Sequence, residues 1–223
     1  MPVWSLLVSF LIVVAGVAIG YRFASVGSFD TIHVILSIFL AVNILVCFWQ
    51  WCLFARRDYV GTRVDHWRAQ GERIGASASR AFMNTRLSAS QMLSPTFWSE
   101  IYSVYSVTDP AYTDKTSCGF NTDIWNGFWT FIPSVLLLVT FASPFVPPFI
   151  AGVIGIALFY QWIFGTIQYS ASFYVGGHYK SVSTADAILF IWVINGGWIA
   201  CAVLGFYVSV NLILDQNYSV LGL

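Results

Sequence analysis

The chain is predicted to be an all-α, multi-pass membrane protein, with five transmembrane helices in a bundle and one long polar cytoplasmic loop. Three observations predict it. Hydrophobic residues make up 58% of the 223 residues and charged residues 9%, against about 25% charged in average soluble domains, and the mean hydropathy is +0.74. Five runs, at about residues 3–23, 31–54, 124–141, 149–173 and 187–214, approach the roughly 20 apolar residues needed to cross about 30 Å of hydrocarbon. Eight of the ten Lys and Arg residues are gathered between the second and third runs. An outer-membrane barrel, built from alternating strands of about ten residues, leaves such unbroken runs unexplained. The expectation is a single membrane domain over residues 1–223, with a polar loop at 55–123.

The first run starts almost at Met1 without a basic n-region, and no small-residue cleavage site precedes Arg22, so it is expected to stay as a helix. Its small residues, Ser5, Ser9, Gly16 and Gly20, are spaced so that a neighbouring helix could approach closely. The loop at 55–123 holds Arg56, Arg57, Arg63, Arg68, Arg73, Arg80, Arg86 and Lys115. Short basic loops stay in the cytoplasm, which places the N-terminus inside and the C-terminus outside; Lys180 agrees and Arg22 does not. Seven acidic residues intersperse these bases and no nucleic-acid-binding module is present, so nucleic acid is not an expected partner. With few apolar residues, residues 56–91 suit one or two interfacial helices better than a folded domain. After Pro95 the chain turns aromatic and acidic, an interfacial belt that leaves Glu100, Asp109 and Asp123 to be explained.

Cys47, Cys52, Cys118 and Cys201 show no CxxC spacing, and His33, His66 and His178 no metal-ligand pattern; neither a metal nor another cofactor is implied. Polar residues inside the runs are more informative, because an intramembrane polar group faces a bundle interior or a cavity. In the third run Asp123, Asn126, Thr130 and Ser134 fall on one helical stripe. Asn43, Cys47 and Gln50 share a face of the second, and Gln161, Gly165, Gln168 and Ser172 a face of the fourth. In the fifth, Asn195 precedes Trp198 by one turn. Interhelical hydrogen bonding alone could account for these stripes. A shared ligand cavity accounts also for the nearby rings of Trp49, Trp125, Trp129, Trp162, Trp192 and Trp198, which suit a flat apolar ligand or a cation. Asp123 has two readings: a cap of the third helix, or a buried acid that delivers a proton or stabilises a carbocation.

The order of short motifs, Trp98-x-Glu100, Asp109-x-x-Tyr112, Asp123-x-x-Asn126 and Asn195-x-x-Trp198, resembles that of the emopamil-binding protein family, the EXPERA superfamily that includes sterol Δ8-Δ7 isomerase. The resemblance covers roughly residues 43–214 apart from the insertion. It implies a four- or five-helix fold and a vestibule where an alkene is protonated and the carbocation held by carboxylates and an aromatic face. The catalytic candidates are then Asp123, with Glu100 or Asp109 as a second acid; the ligand-binding candidates are Asn126, Asn195, Trp198, Gln50, Cys47 and Gln168. Two departures stand out. Where the isomerases carry a His and a Glu one turn apart on the second helix, this chain has Cys47 and Gln50, neither of which shuttles protons near neutral pH; the connector at 55–95 is also longer.

Three functions are compatible with these residues: a sterol or isoprenoid double-bond isomerase, a non-catalytic lipid-binding module, and a structural subunit of a homodimer or larger membrane complex. The expected partners are a hydrophobic small molecule or lipid and the membrane itself, internal in a eukaryote or cytoplasmic in a bacterium. Transport is disfavoured by the lack of an inverted repeat.

Overall fold

A computed structural model describes residues 1–181, 184 and 188–223. Among these residues the chain is helical and contains no strand; one isolated bridge joins Pro2 to Arg86. The long helices are α1 (Val3–Val26), α2 (Thr31–Ala55), α8 (Cys118–Ala142), α9 (Pro148–Val175) and α10 (Asn195–Asp215), the last preceded by a π-helical stretch at Ile188–Ile194. Among the described residues five segments are long and apolar enough to cross a membrane, in agreement with the five expected runs. The expected start of the fifth run, Ala187, lies outside the described residues.

The polar insertion is where expectation and structure part. It is mostly helical: α3 (Arg57–Val60), α4 (Val64–Arg73), α5 (Ala78–Met83), α6 (Ala89–Met92) and α7 (Pro95–Tyr105). Serines start three of these helices. Ser77 accepts the backbone N–H of Arg80, Ser88 forms a reciprocal capping box with Gln91, and Ser94 caps α7 with Pro95 in its first turn, each satisfying donors that have no partner within the helix.

The chain divides into two compact units. Unit 1 comprises Met1–Ser9, Val46–Phe128 and Tyr169–Leu189. The insertion builds a core here despite its low apolar content, because a few large rings suffice. Trp67 meets Phe82 edge-on at 5.2 Å, Phe82 stacks on Phe97 at 5.4 Å and Phe97 meets Trp98 edge-on; each such ring buries roughly 150–250 Å². Val3 and Cys52, from the ends of long helices, complete the cluster. The N-terminus is tied to the insertion by Val3 N–H to Thr85 and Leu87 N–H to Met1.

Unit 2 comprises Phe10–Leu45, Trp129–Gln168 and Phe190–Leu223, in which segments of all five long helices surround one apolar core that includes Leu40, Leu137, Phe141, Phe159, Trp162 and Leu212. Arg22, the basic residue at odds with the charge pattern, is buried, and its Nη1 donates to the Phe141 carbonyl at the end of α8, where a cation is favoured by the helix dipole. The close helix approach expected of the α1 glycines occurs elsewhere. A Cβ placed on Gly16 or Gly20 meets nothing within 4 Å, whereas one on Gly155 falls 2.1 Å from Ser209 Oγ and one on Gly205 falls 2.3 Å from the Phe159 ring. Small residues thus let α9 and α10 pack closely. Gly205→Leu should overpack this crossing and lower stability by roughly 1–3 kcal/mol, while Gly20→Leu should change it by less than about 0.5 kcal/mol; thermal unfolding in detergent compares the two.

Candidate active site

Helix α8 begins at Cys118, six residues before the apolar run itself. Ser117 supplies its start, with its hydroxyl accepting the Phe120 N–H at 3.1 Å and its carbonyl the Asn121 N–H. Asp123 therefore sits in the second turn, beyond the orphan donors of the first, and does not cap the helix. Ser117→Ala should cost about 0.5–2 kcal/mol, measurable as a lowered Tm, with no counterpart in Asp123→Asn.

Asp123 is half-buried within unit 1 and hydrogen-bonded to Tyr112, Gln50 and Tyr102. Gln50, buried on α2, accepts from Asn126 Nδ2 at 3.0 Å, and the indole of Trp51 donates to the Gly127 carbonyl at 3.0 Å. The two helices pass so closely here that a Cβ on Gly127 would stand 2.7 Å from Gln50 Cβ. Gly127→Val should push Gln50 away and disrupt its bridge to Asn126.

A second carboxyl stands on the same tyrosine cluster. Asp109, 1% exposed, caps the turn at Pro110–Thr113 through the Ala111 N–H. Its Oδ1 also faces His178 Nδ1 at 2.9 Å, and its Oδ2 accepts the Tyr169 hydroxyl at 2.8 Å. The hydroxyls of Tyr169 and Tyr105 are 3.3 Å apart. Tyr112 lies among these rings, with its centroid 4.9 Å from Tyr105, 5.4 Å from Tyr102 and 6.4 Å from Tyr169. Burial raises the hydroxyl pKa of Tyr102 and Tyr112 well above the usual value and pushes that of Tyr105 up to about 12, with the charge of Asp123 adding to it; these hydroxyls stay protonated, and remain donors, at neutral pH. Beside Asp109 a half-open cavity of ≈ 540 Å³ is bordered by His178, Ser172, Asp114, Ser117 and Cys118.

The structure thus brings together Asp123, Asp109, Gln50 and Asn126 from the predicted set. Cys47 is buried one turn before Gln50 on α2. Glu100 has a different set of partners: Oε1 accepts the Tyr59 hydroxyl at 2.7 Å, Oε2 the Trp67 indole N–H at 2.7 Å, and Arg63 approaches both oxygens at 3.3 Å. Asn195 and Trp198 belong to unit 2, where the buried Asn195 Nδ2 has no hydrogen-bond partner among the described residues and Trp198 lies edge-on to Phe39 at 5.2 Å. Gln168 is exposed, so the fourth polar stripe does not line a buried interior along its length. Of the six tryptophans expected beside a cavity, Trp125, Trp129 and Trp192 are exposed. Trp125 follows Asp123 by two residues, about 200° around the helix, and so points away from the buried face.

Sequence reasoning missed Tyr102, Tyr105, Tyr169 and His178. Tyr102 and Tyr105 are three apart and share a helix face, a signal that could have been used; Tyr169 and His178 are 60 and 69 residues from Asp109, and no local pattern joins them. Among the described residues no three His, Cys, Asp or Glu side chains gather into a metal-binding group. Comparison with protein-family models, curated proteins and solved structures finds no match for the chain.

Proposed function

We propose that this multi-pass membrane protein takes up a sterol- or isoprenoid-like lipid at Asp123 and shifts one of its double bonds. The Asp123 carboxyl gives its proton to one alkene carbon, the cation left on the neighbouring carbon is held by the carboxylate and the tyrosine faces, and return of a proton from an adjacent carbon to the Asp123 carboxylate restores both the acid and a double bond at a new position. The observation that carries this reading is the placement of Asp123: an acid in the second turn of α8, hydrogen-bonded to two tyrosines and an amide, with no helix-capping role. The motif order of the sequence supports the same chemistry. Mass spectrometry of lipids co-purified with the protein tests it: a bound sterol or polyprenyl compound, converted to a double-bond isomer in nanodiscs, is the expected result. Recovery of bulk phospholipid alone counts against it.

A second reading, lipid binding without chemistry, is favoured by the Asn126–Gln50 bridge, which joins two amides at a position where the family resemblance implies proton carriers. Ligand recovery without turnover selects this reading.

A further inference from the structure

We propose that Arg80, Arg86 and Leu93 of the insertion form a docking surface for anionic phospholipid headgroups in the leaflet that α1 enters at Val3, an inference that does not depend on the reading of Asp123. Charge in the insertion is unevenly distributed. Where it carries acids, they hold its bases: Asp65 pairs with Arg68, Asp58 with Lys115 and Glu100 with Arg63. Between Glu72 and Glu100 the chain has Arg73, Arg80 and Arg86 and no acid at all. These three arginines are exposed, and none has an ion pair among the described residues.

Backbone hydrogen bonds fix where this acid-free stretch lies. Val3 N–H donates to the Thr85 carbonyl at 3.0 Å, Leu87 N–H donates to the Met1 carbonyl at 2.8 Å, and the isolated bridge joins Pro2 to Arg86. Arg86 therefore stands beside the first residues of α1, where a segment long and apolar enough to cross a membrane begins. Trp4, 50% exposed, provides an interfacial ring at the same level. Leu87, Phe97 and Trp98 share a cluster with Val3, joined by Met92, Leu6 and Leu7, so the chain between α5 and α7 is held against the first two turns of α1. Leu93 follows Met92 and is 85% exposed. At this depth its side chain meets acyl chains instead of water, and an arginine lays its stem on apolar surface while its head reaches a phosphate. On α5 the buried residues are Ala78 and Phe82; Arg80, about 200° around the helix from each, points away from them. An acidic protein segment would satisfy the arginines and leave Leu93 in water, whereas a lipid surface accounts for both. The cytoplasmic leaflet, where basic loops are retained, is also the anionic one.

Hydrogen exchange followed by mass spectrometry tests this on the full chain, in nanodiscs of phosphatidylcholine with and without phosphatidylglycerol. Two arginines at an anionic surface should slow exchange of the amides at residues 84–93 roughly thirtyfold when phosphatidylglycerol is present, and high salt should remove the difference. The double variant Arg80→Gln, Arg86→Gln should exchange alike in the two lipids, at the rate the wild type shows in phosphatidylcholine alone. Should that variant fail to fold, the salt dependence of the wild-type protein decides the matter. Helix α4, whose Arg68 is already paired with Asp65, is the internal control and should exchange alike in both lipids. The proposal is overturned if residues 84–93 exchange at one rate in both lipids, the result an acidic protein partner would give. It is equally overturned if the slowing survives high salt or the double variant, or if α4 slows to the same extent, as a general effect of the bilayer would require.

Discussion

On the proposed isomerase reading, Asp123→Asn is expected to abolish turnover while leaving the fold intact. Asparagine has the same shape, and its carbonyl oxygen can still accept from Tyr112 and Tyr102, but it cannot give up a proton to an alkene. A positioned acid contributes about 10²–10⁴-fold, so product formation in nanodiscs, followed by gas chromatography of the extracted lipid, should fall by at least about a hundredfold. The Tm should move little, because the start of α8 depends on Ser117. Two outcomes sink the assignment: turnover and ligand occupancy both unchanged, or loss of turnover together with unfolding. Tyr112→Phe makes the complementary case. It keeps the ring and removes one hydroxyl, so it should reduce turnover less than Asp123→Asn does.

The five segments long and apolar enough to span a membrane were legible because a long apolar run is its own signal and needs no partner to be recognised. Their ends were less so. Residues 118–123 are mainly small or polar, and nothing in their hydropathy joins them to α8; the serine at 117 was the available cue, and it moves Asp123 from the rim of the helix into its second turn. The insertion's core, unlike its helices, was hard to read for a related reason. Counting apolar residues undervalues a core that includes the large rings of Trp67, Phe82, Phe97 and Trp98. Pattern placed Asp123 and Asn126 on one helical face, and Gln50 on the buried face of another. It could not place Tyr169 and His178 against Asp109, since that meeting is made by tertiary folding across 60 residues and more.

Glu100 has partners of its own, Tyr59, Trp67 and Arg63, and the second large effect is expected there. Glu100→Ala should destabilise unit 1 by about 3 kcal/mol, because removing one member of a buried charged set strands the others. The indole of Trp67 loses its acceptor inside the insertion core, the Tyr59 hydroxyl loses its own, and Arg63, 30% exposed, keeps access to water and softens the loss. Glu100→Gln keeps the shape but puts an NH₂ where one oxygen had been, so Arg63 and either Tyr59 or Trp67 meet a donor; it should recover only part of the stability. Thermal unfolding, with limited proteolysis at residues 57–105, provides the measurement. If Glu100 served as the second acid at the ligand, Glu100→Gln would instead leave the Tm unchanged and lower turnover. With the carboxylate engaged by Tyr59, Trp67 and Arg63, and Asp123 engaged by Tyr102, Tyr112 and Gln50, the two acids hold different parts of the same unit, and stability is where the loss of Glu100 is expected to register.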